Sequence, residues 1–294
     1  MLKDQVKSIV SIIIIVFLLG LFPSCVSRNK ENNDNENTTP IVEIDIEEPY
    51  VNPHKILVGP EGYPDLLGWF LTEYDQTEIN RSENLRIAAV RINDVVVQPN
   101  QVFSFGAAIS PITLASGYKM GIVYSGGRQI PGLAGGVCQV LGTLYNALLY
   151  ANMTIVERRP HQFMVTYLDN PRDATLFYPN VDFKFRNNRS TPILIKSTVE
   201  DGISVAHIFG TRDPDDYEVE LFTQITNTIP YTTQVTDDAT LPRGERVVDF
   251  KGIAGGTAEL YVILKRDGEE VSRTLRSRDN YIPHPQVERI GTRD

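Results

Sequence analysis

An α+β fold, with strands around one central helix followed by a small all-β unit, is predicted by three features of the sequence. The run CQVLGTLYNALLYANM places Val140, Leu141, Leu144, Tyr145, Leu148 and Leu149 at helical spacing, so a helix begins near Cys138. The stretches TIVERRPHQFMVTYL, DATLFYP, VDFKFRN and PILIKSTVEDGISVAHIFG have strand composition, and the last predicts a hairpin across Glu200, Asp201 and Gly202. Beyond the polar break RDPDD, the segments EVELFTQ, YTTQVTD, ERVVDFKG, AELYVILKRDGEEVSRTLRSR and PQVERIG read as short strands and turns with no helix signal.

The elements follow in chain order. Residues 1–25 carry Lys3 and Lys7 ahead of an apolar run from Ile9 to Phe22, which suits an export signal and is short for a membrane span of about 20 residues. Its end, LFPSC, is similar to the lipobox of bacterial lipoproteins and makes Cys25 the expected lipidation site. A plain cleaved signal and an uncleaved anchor are the alternatives. Residues 26–45, with the polar stretch VSRNKENNDNENTTP, have the composition of a disordered tether. Residues 46–212 form the expected first domain and 213–294 the second. IVEID, at 41–45, reads as a short strand just ahead of the first domain; within that domain ENLRIAAVRINDVVV reads as a helix turning into a strand, and PNQVFSFG as a turn and strand. GYKMGIVYSGG reads as a strand ending in a turn, with Gly126 to Arg128 as a hairpin connection.

With 41% hydrophobic and 22% charged residues, most of the 294-residue chain can bury a core. The formal net charge of −9 becomes more negative by one when Lys3, Asp4 and Lys7 leave with the signal. Such a balance disfavours nucleic acid, whose binders need a basic face to displace counterions. A metal site is not expected, because HExxH, CxxC and close histidine pairs are absent; no Walker or GxGxxG loop appears, and no cofactor is implied.

The chain has two cysteines, and lipidation of Cys25 would leave Cys138 without a partner. It follows Gly135 and Gly136, residues that permit unusual backbone conformations and close approach of a substrate. At the first turn of a helix, free N–H groups and the macrodipole favour a thiolate, and the N–H groups of Cys138 and Gln139 are candidate oxyanion donors. Among His54, His161, His207 and His284, the best candidate base is His161 in RRPHQF, directly after the helix. Arg158, Arg159 and Arg172 are candidates for a substrate carboxylate, and Asp173 for orienting the imidazole. Each has a bland alternative: Cys138 buried and inert, His161 capping a strand, the arginines solvated. Trp69, Tyr145 and His207 are assigned to cores.

The series NLRIAAVRIND, QPNQVFSFG, SGYK, GGVCQVLGTLYNALLYANMTIVERRPHQ, RDATLFY and VDFKFRNNRSTPILIK resembles the VanW domain family over roughly residues 66–211. The C-terminal pieces ITNTIPYTTQ, LPRGERVVDFKGIAGG and YVILKRDGEEVSRTL are similar to a G-five domain, with Gly244, Gly252, Gly255, Gly256 and Gly268 as the candidate glycines. The first resemblance implies L,D-transpeptidation of peptidoglycan with Cys138 as nucleophile; His161 and Asp173 remain its candidate catalytic partners from the reading of the residues. Gly135, Gly136, Gln139, Arg158 and Arg172 are then the candidate substrate-binding residues. The second implies binding of wall or aminosugar, with a spacer as the alternative. Expected partners are peptidoglycan stem peptides and glycan, and a membrane through the lipid anchor, on the outer face of the cytoplasmic membrane or in the cell envelope. Gln162 stands where many VanW members carry Ser, and Leu141-Gly142 replaces a Ser/Thr pair. A cysteine peptidase would use the same residues, and a non-catalytic wall-binding lipoprotein would leave Cys138 inert.

Overall fold

The computed structural model describes residues 58–125 and 128–294. The export signal, Cys25, the tether, the strand IVEID, His54 and the Gly126-Gly127 connection lie outside the described residues. Fifteen strands and three helices are present among the described residues.

The N-terminal part runs β1 (Asp65–Glu73), α1 (Ile79–Ile92), β2 (Val95–Val97), β3 (Val102–Ser104), α2 (Phe105–Ile109), β4 (Met120–Ser125), β5 (Arg128–Leu133), α3 (Val137–Tyr150), β6 (Thr154–Glu157), β7 (Lys184–Arg186), β8 (Ile193–Glu200) and β9 (Ile203–Gly210). An antiparallel sheet in the order β1-β9-β8-β2 packs against α3 through β1 and β9 and against α1 through β8. A three-stranded sheet, β3-β7-β6, and the β4-β5 hairpin complete this part. Asp201 and Gly202, both at positive φ, turn β8 into β9, the geometry that matches strand twist in a two-residue hairpin.

Helix α3 carries no charged residue, and every side chain from Gln139 to Leu149 is buried, as expected of a helix apolar on all sides. Burial of each Leu141- or Leu144-sized side chain contributes about 1.5–3 kcal/mol. Helix α1 is equally long, so the expectation of a single helix is corrected. Its buried face is Asn84, Leu85, Ala88, Ala89 and Ile92, at spacings of three and four, with Arg86 turned outward. The helix-then-strand reading of ENLRIAAVRINDVVV agrees with α1 followed by β2.

The segment RRPHQFMVTYL and the following DATLFYP do not form strands; between β6 and β7 the only pairing is the isolated bridge Phe177 to Val181. Pro160, Pro171 and Pro179 remove ladder donors there. Instead, Asn170 folds its side chain onto the Val165 backbone, donating to Val165 O at 3.0 Å. This irregular segment carries His161 and Asp173.

The C-terminal part contains β10 (Glu218–Ile229), β11 (Thr233–Pro242), β12 (Arg246–Phe250), β13 (Gly255–Arg266), β14 (Glu269–Tyr281) and β15 (Gln286–Arg293), in two sheets ordered β10-β13-β14 and β11-β15-β12. Strands β10, β13 and β14 are 12, 12 and 13 residues long, not short as expected. Leu260 of β13 is fully buried in the same apolar cluster as Leu141 and Leu144 of α3, so the two parts share a core.

Candidate active site

The start of α3 is held from two sides. Asn84 of α1, itself fully buried, donates to Gly135 O at 3.0 Å and to Lys119 O at 3.0 Å, and its own carbonyl accepts from Lys119 N at 2.7 Å. A Cβ on Gly135 would lie 2.5 Å from Ile122 O of β4, and Gly136 caps the helix at φ 107° with Leu85 and Arg81 of α1 against it. The two glycines therefore admit neighbouring protein rather than substrate, which corrects the sequence expectation. Gly135→Ala is expected to cost about 1–3 kcal/mol by overpacking against backbone that cannot yield, read as a lowered thermal midpoint; an unchanged midpoint would contradict this packing.

Gln139 is likewise committed. Its Nε2 donates to Thr72 Oγ1 at 3.0 Å and to Glu73 O at 2.8 Å, its Oε1 accepts from Arg81, and it is 1% exposed. It ties α3 to β1 and is not available to substrate. Its backbone N–H, expected in an oxyanion site, donates to Gly136 O at 2.8 Å.

Cys138 is half-buried in the first turn of α3. Its thiol meets the His161 ring, the Leu176 backbone N–H and the Thr175 side chain. His161 is fixed by a chelate: its backbone N–H donates to Asp173 Oδ2 at 2.6 Å, and its ring Nδ1 lies 2.7 Å from the same oxygen. With Nδ1 on the carboxylate, Nε2 is left for the thiol. Burial pushes the Cys138 thiol up, but the hydrogen bond and positive charge of His161 outweigh it and hold the thiol below its ordinary 9.0. Burial also opposes the imidazolium, yet hydrogen bonds to Asp173 and Cys138 raise His161 from 6.5 to about 9. Asp173, with a fully buried side chain, stays below the usual carboxylate range despite that burial, because His161 and Arg158 face it. Each group thus favours the charged form of the other, and a thiolate beside an imidazolium is the form that makes a cysteine nucleophilic. Alkylation of Cys138 by iodoacetamide is expected to show an acid limb centred below pH 9, whereas a midpoint at or above 9 would contradict the pairing.

Arg158, expected at a substrate carboxylate, instead serves the far side of Asp173. Its Nε donates to Asp173 O at 2.7 Å, Nη2 to Asp173 Oδ1 at 3.1 Å and to Pro171 O at 3.0 Å, and Nη1 to Asp279 of β14. Arg172 pairs with Asp169 at 2.6 Å and lies over the Phe70 ring at 5.1 Å, placing it against β1 rather than on Cys138. Gly142 sits beneath Leu168 and Tyr167, and the Tyr167 hydroxyl donates to Cys138 O at 3.4 Å. His207 stacks between Trp69 and Phe209, and His284 meets Phe163 edge-on; neither joins Cys138. Among the described residues no group of three or more His, Cys, Asp or Glu side chains is arranged to hold a metal ion.

Sequence reasoning missed Asn84, Thr175, Leu176, Asp279 and Tyr281. Tyr281 of β14 is 1% exposed and donates its hydroxyl to Asp173 Oδ1 at 2.6 Å. Only the quoted stretches NLRIAAVRIND and RDATLFY signalled the first three.

Comparison with known proteins finds two families along the chain. The family described as VanW like protein matches residues 80–209, and the G5 domain matches residues 223–293. Uncharacterized protein YoaR of Bacillus subtilis (strain 168) is 34% identical over 145 residues, 49% of this chain and 48% of that protein. Vancomycin B-type resistance protein VanW of Enterococcus faecalis (strain ATCC 700802 / V583) is 27% identical over 140 residues, 46% of this chain and 51% of that protein. The chain thus spans about half the length of the curated relatives it matches. Among solved structures, the IgA1 protease G5 domain is 23% identical, covering 28% of this chain and 100% of that one, with a TM-score of 0.18. HP0197-G5 is 19% identical, covering 26% of this chain and 100% of that one, with a TM-score of 0.16. The chain carries a VanW-like domain followed by a G5 domain, and YoaR and VanW are its homologues.

Proposed function

We propose that this chain is a cell-envelope cysteine acyltransferase, an L,D-transpeptidase acting on peptidoglycan stem peptides. The observation that carries the reading is the His161 ring set between the Cys138 thiol and the Asp173 carboxylate, 2.7 Å from Oδ2. The VanW-like and G5 domains in one chain support association with the cell wall.

The thiolate of Cys138 attacks the carbonyl carbon between the third residue of a stem tetrapeptide and its terminal D-Ala. The C–N bond breaks, the amine of D-Ala takes the proton from the His161 imidazolium, and D-Ala leaves. The acyl group remains as a thioester, conserving the energy of the cleaved bond where no ATP is present. The side-chain amine of a second stem then attacks the thioester, passes its proton to His161 and restores the thiolate, closing a 3-3 cross-link. Asp173 holds the imidazole in one tautomer and stabilises its charge throughout. The G5 domain keeps the enzyme on wall glycan, and lipidated Cys25, beyond the described residues, tethers it to the membrane. Among the described residues no helix is long and apolar enough to cross a membrane.

Incubating the purified protein with disaccharide tetrapeptide and separating the products tests this. Dimers with 3-3 links and an equal yield of D-Ala are expected. Disaccharide tripeptide without dimer would make the protein a peptidase, and unchanged substrate would favour a wall-binding lipoprotein.

A further inference from the structure

The carboxylate of Asp173 is held at both ends by different parts of the chain. Its Oδ2 takes the two N–H groups of His161, both from the VanW-like domain. Its Oδ1 takes Tyr281 at 2.6 Å and Arg158 at 3.1 Å, and Arg158 is in turn braced by Asp279. Tyr281 and Asp279 stand on β14 of the G5 domain, on either side of Asn280. The next residue, Ile282, donates its N–H to Gln162 O at 2.9 Å, and the His284 ring meets Phe163 at 5.1 Å. The G5 domain thus holds Gln162 and Phe163, directly after the base, and the carboxylate behind it.

We infer that Tyr281 is a positioning residue for the Cys138 site: its hydroxyl fixes the plane of the Asp173 carboxylate, so that the G5 domain completes the VanW-like domain's catalytic constellation. This rests on the reading of Cys138, His161 and Asp173 as a working triad. A carboxylate with two donors on each oxygen cannot rotate, and the imidazole chelated by Oδ2 keeps its Nε2 on the thiol. Removing the hydroxyl leaves Oδ1 with Arg158 alone. The carboxylate then gains freedom about its long axis, and His161 loses part of its aim. The titratable and charged groups around this point are Cys138, His161 and Arg158, with Asp279, Tyr145 and Arg276 behind Arg158. All but Asp279 and Arg276 come from the VanW-like domain. Tyr281 keeps its proton, since burial and the neighbouring Asp173 both push its ionisation far up.

The test is the pH profile of Cys138 alkylation by iodoacetamide in the full chain carrying Tyr281→Phe. The acid limb is expected to move up by about half to one pH unit, a three- to ten-fold lower rate at a fixed pH on that limb. Tyr261→Phe removes a phenol that donates to a carboxylate of the same sheet, Glu259, away from the site, and is expected to leave the profile unchanged. A Tyr281→Phe profile superimposable on wild type, in a protein of wild-type thermal midpoint, overturns the inference. A wild-type profile with its limb at or above pH 9 overturns the parent reading instead. If Tyr281→Phe does not fold, 3-fluorotyrosine at position 281 preserves the volume and strengthens the donor. It is expected to displace the limb, and an unmoved limb overturns the inference.

Discussion

Replacing Cys138 by serine is expected to abolish D-Ala release, by roughly 10⁴- to 10⁶-fold, the usual cost of removing a nucleophile that works as a unit with its base. The change is one atom, at a half-buried position in the first turn of α3. A serine hydroxyl is far too weak an acid for the His161 imidazolium to hold it ionised, so the nucleophile disappears while the fold remains. Thermal stability should change by no more than about 1 kcal/mol, in the range of substitutions that make no cavity or unpaired charge. His161 loses the thiolate that helps raise it, and its titration should fall below about 9. Retention of more than a few percent of D-Ala release, assayed by coupled oxidation of free D-Ala, would remove Cys138 from the chemistry.

Asp173→Asn is expected to lower turnover about 10²- to 10⁴-fold, the range for losing a general acid–base partner. The side chain is isosteric, but four donors converge on it: two from His161, one from Arg158 and one from Tyr281. An amide NH₂ must face one of these pairs, donor against donor. The charge that supports the imidazolium is also gone, so His161 moves back toward 6.5 and Cys138 upward, shifting the acid limb of alkylation to higher pH. Arg158 keeps Asp279 as its one carboxylate beside the Asp173 and Pro171 carbonyls, so the cost stays below the roughly 3–5 kcal/mol of leaving a buried charge unpaired. The pH dependence has a definite sign. Asp173 titrates below its unfolded value of 3.8 in the folded state, so its contribution is present above 3.8 and is lost as the pH falls through the folded value. Urea unfolding at pH 7 should therefore separate wild type from Asp173→Asn widely, and at pH 3 less so. An equal gap at both would contradict the assignment of a charged Asp173.

Much of this site was legible because its three central members lie in one stretch of chain. Helix α3 announces itself by the absence of charge and the spacing of its leucines, and that places Cys138 at a helix start without any knowledge of its neighbours. His161 and Asp173 follow within the next turns of chain, and they are brought together. Gly135, Gly136, Gln139 and Arg158 depart from what the sequence suggests for a common reason. Residue identity shows what a group can bond, not which of many partners reaches it first. Gln139 meets Thr72, 67 positions earlier, and Arg158 meets Asp279, 121 positions later. Tyr281, 108 positions from Asp173, carried no local mark at all. The segment around His161 reads as strand because its apolar residues suit a pleat, yet its three prolines remove ladder donors and the Asn170 side chain takes up the Val165 backbone.

The most direct test of the central claim is the intact mass of the protein after brief exposure to disaccharide tetrapeptide without an acceptor. The account predicts an adduct equal to the donor minus D-Ala, mapped to Cys138 by digestion and absent from Cys138→Ala. A folded protein that shows neither adduct nor free D-Ala, while its Cys138 still alkylates below pH 9, would contradict acyl transfer through this cysteine.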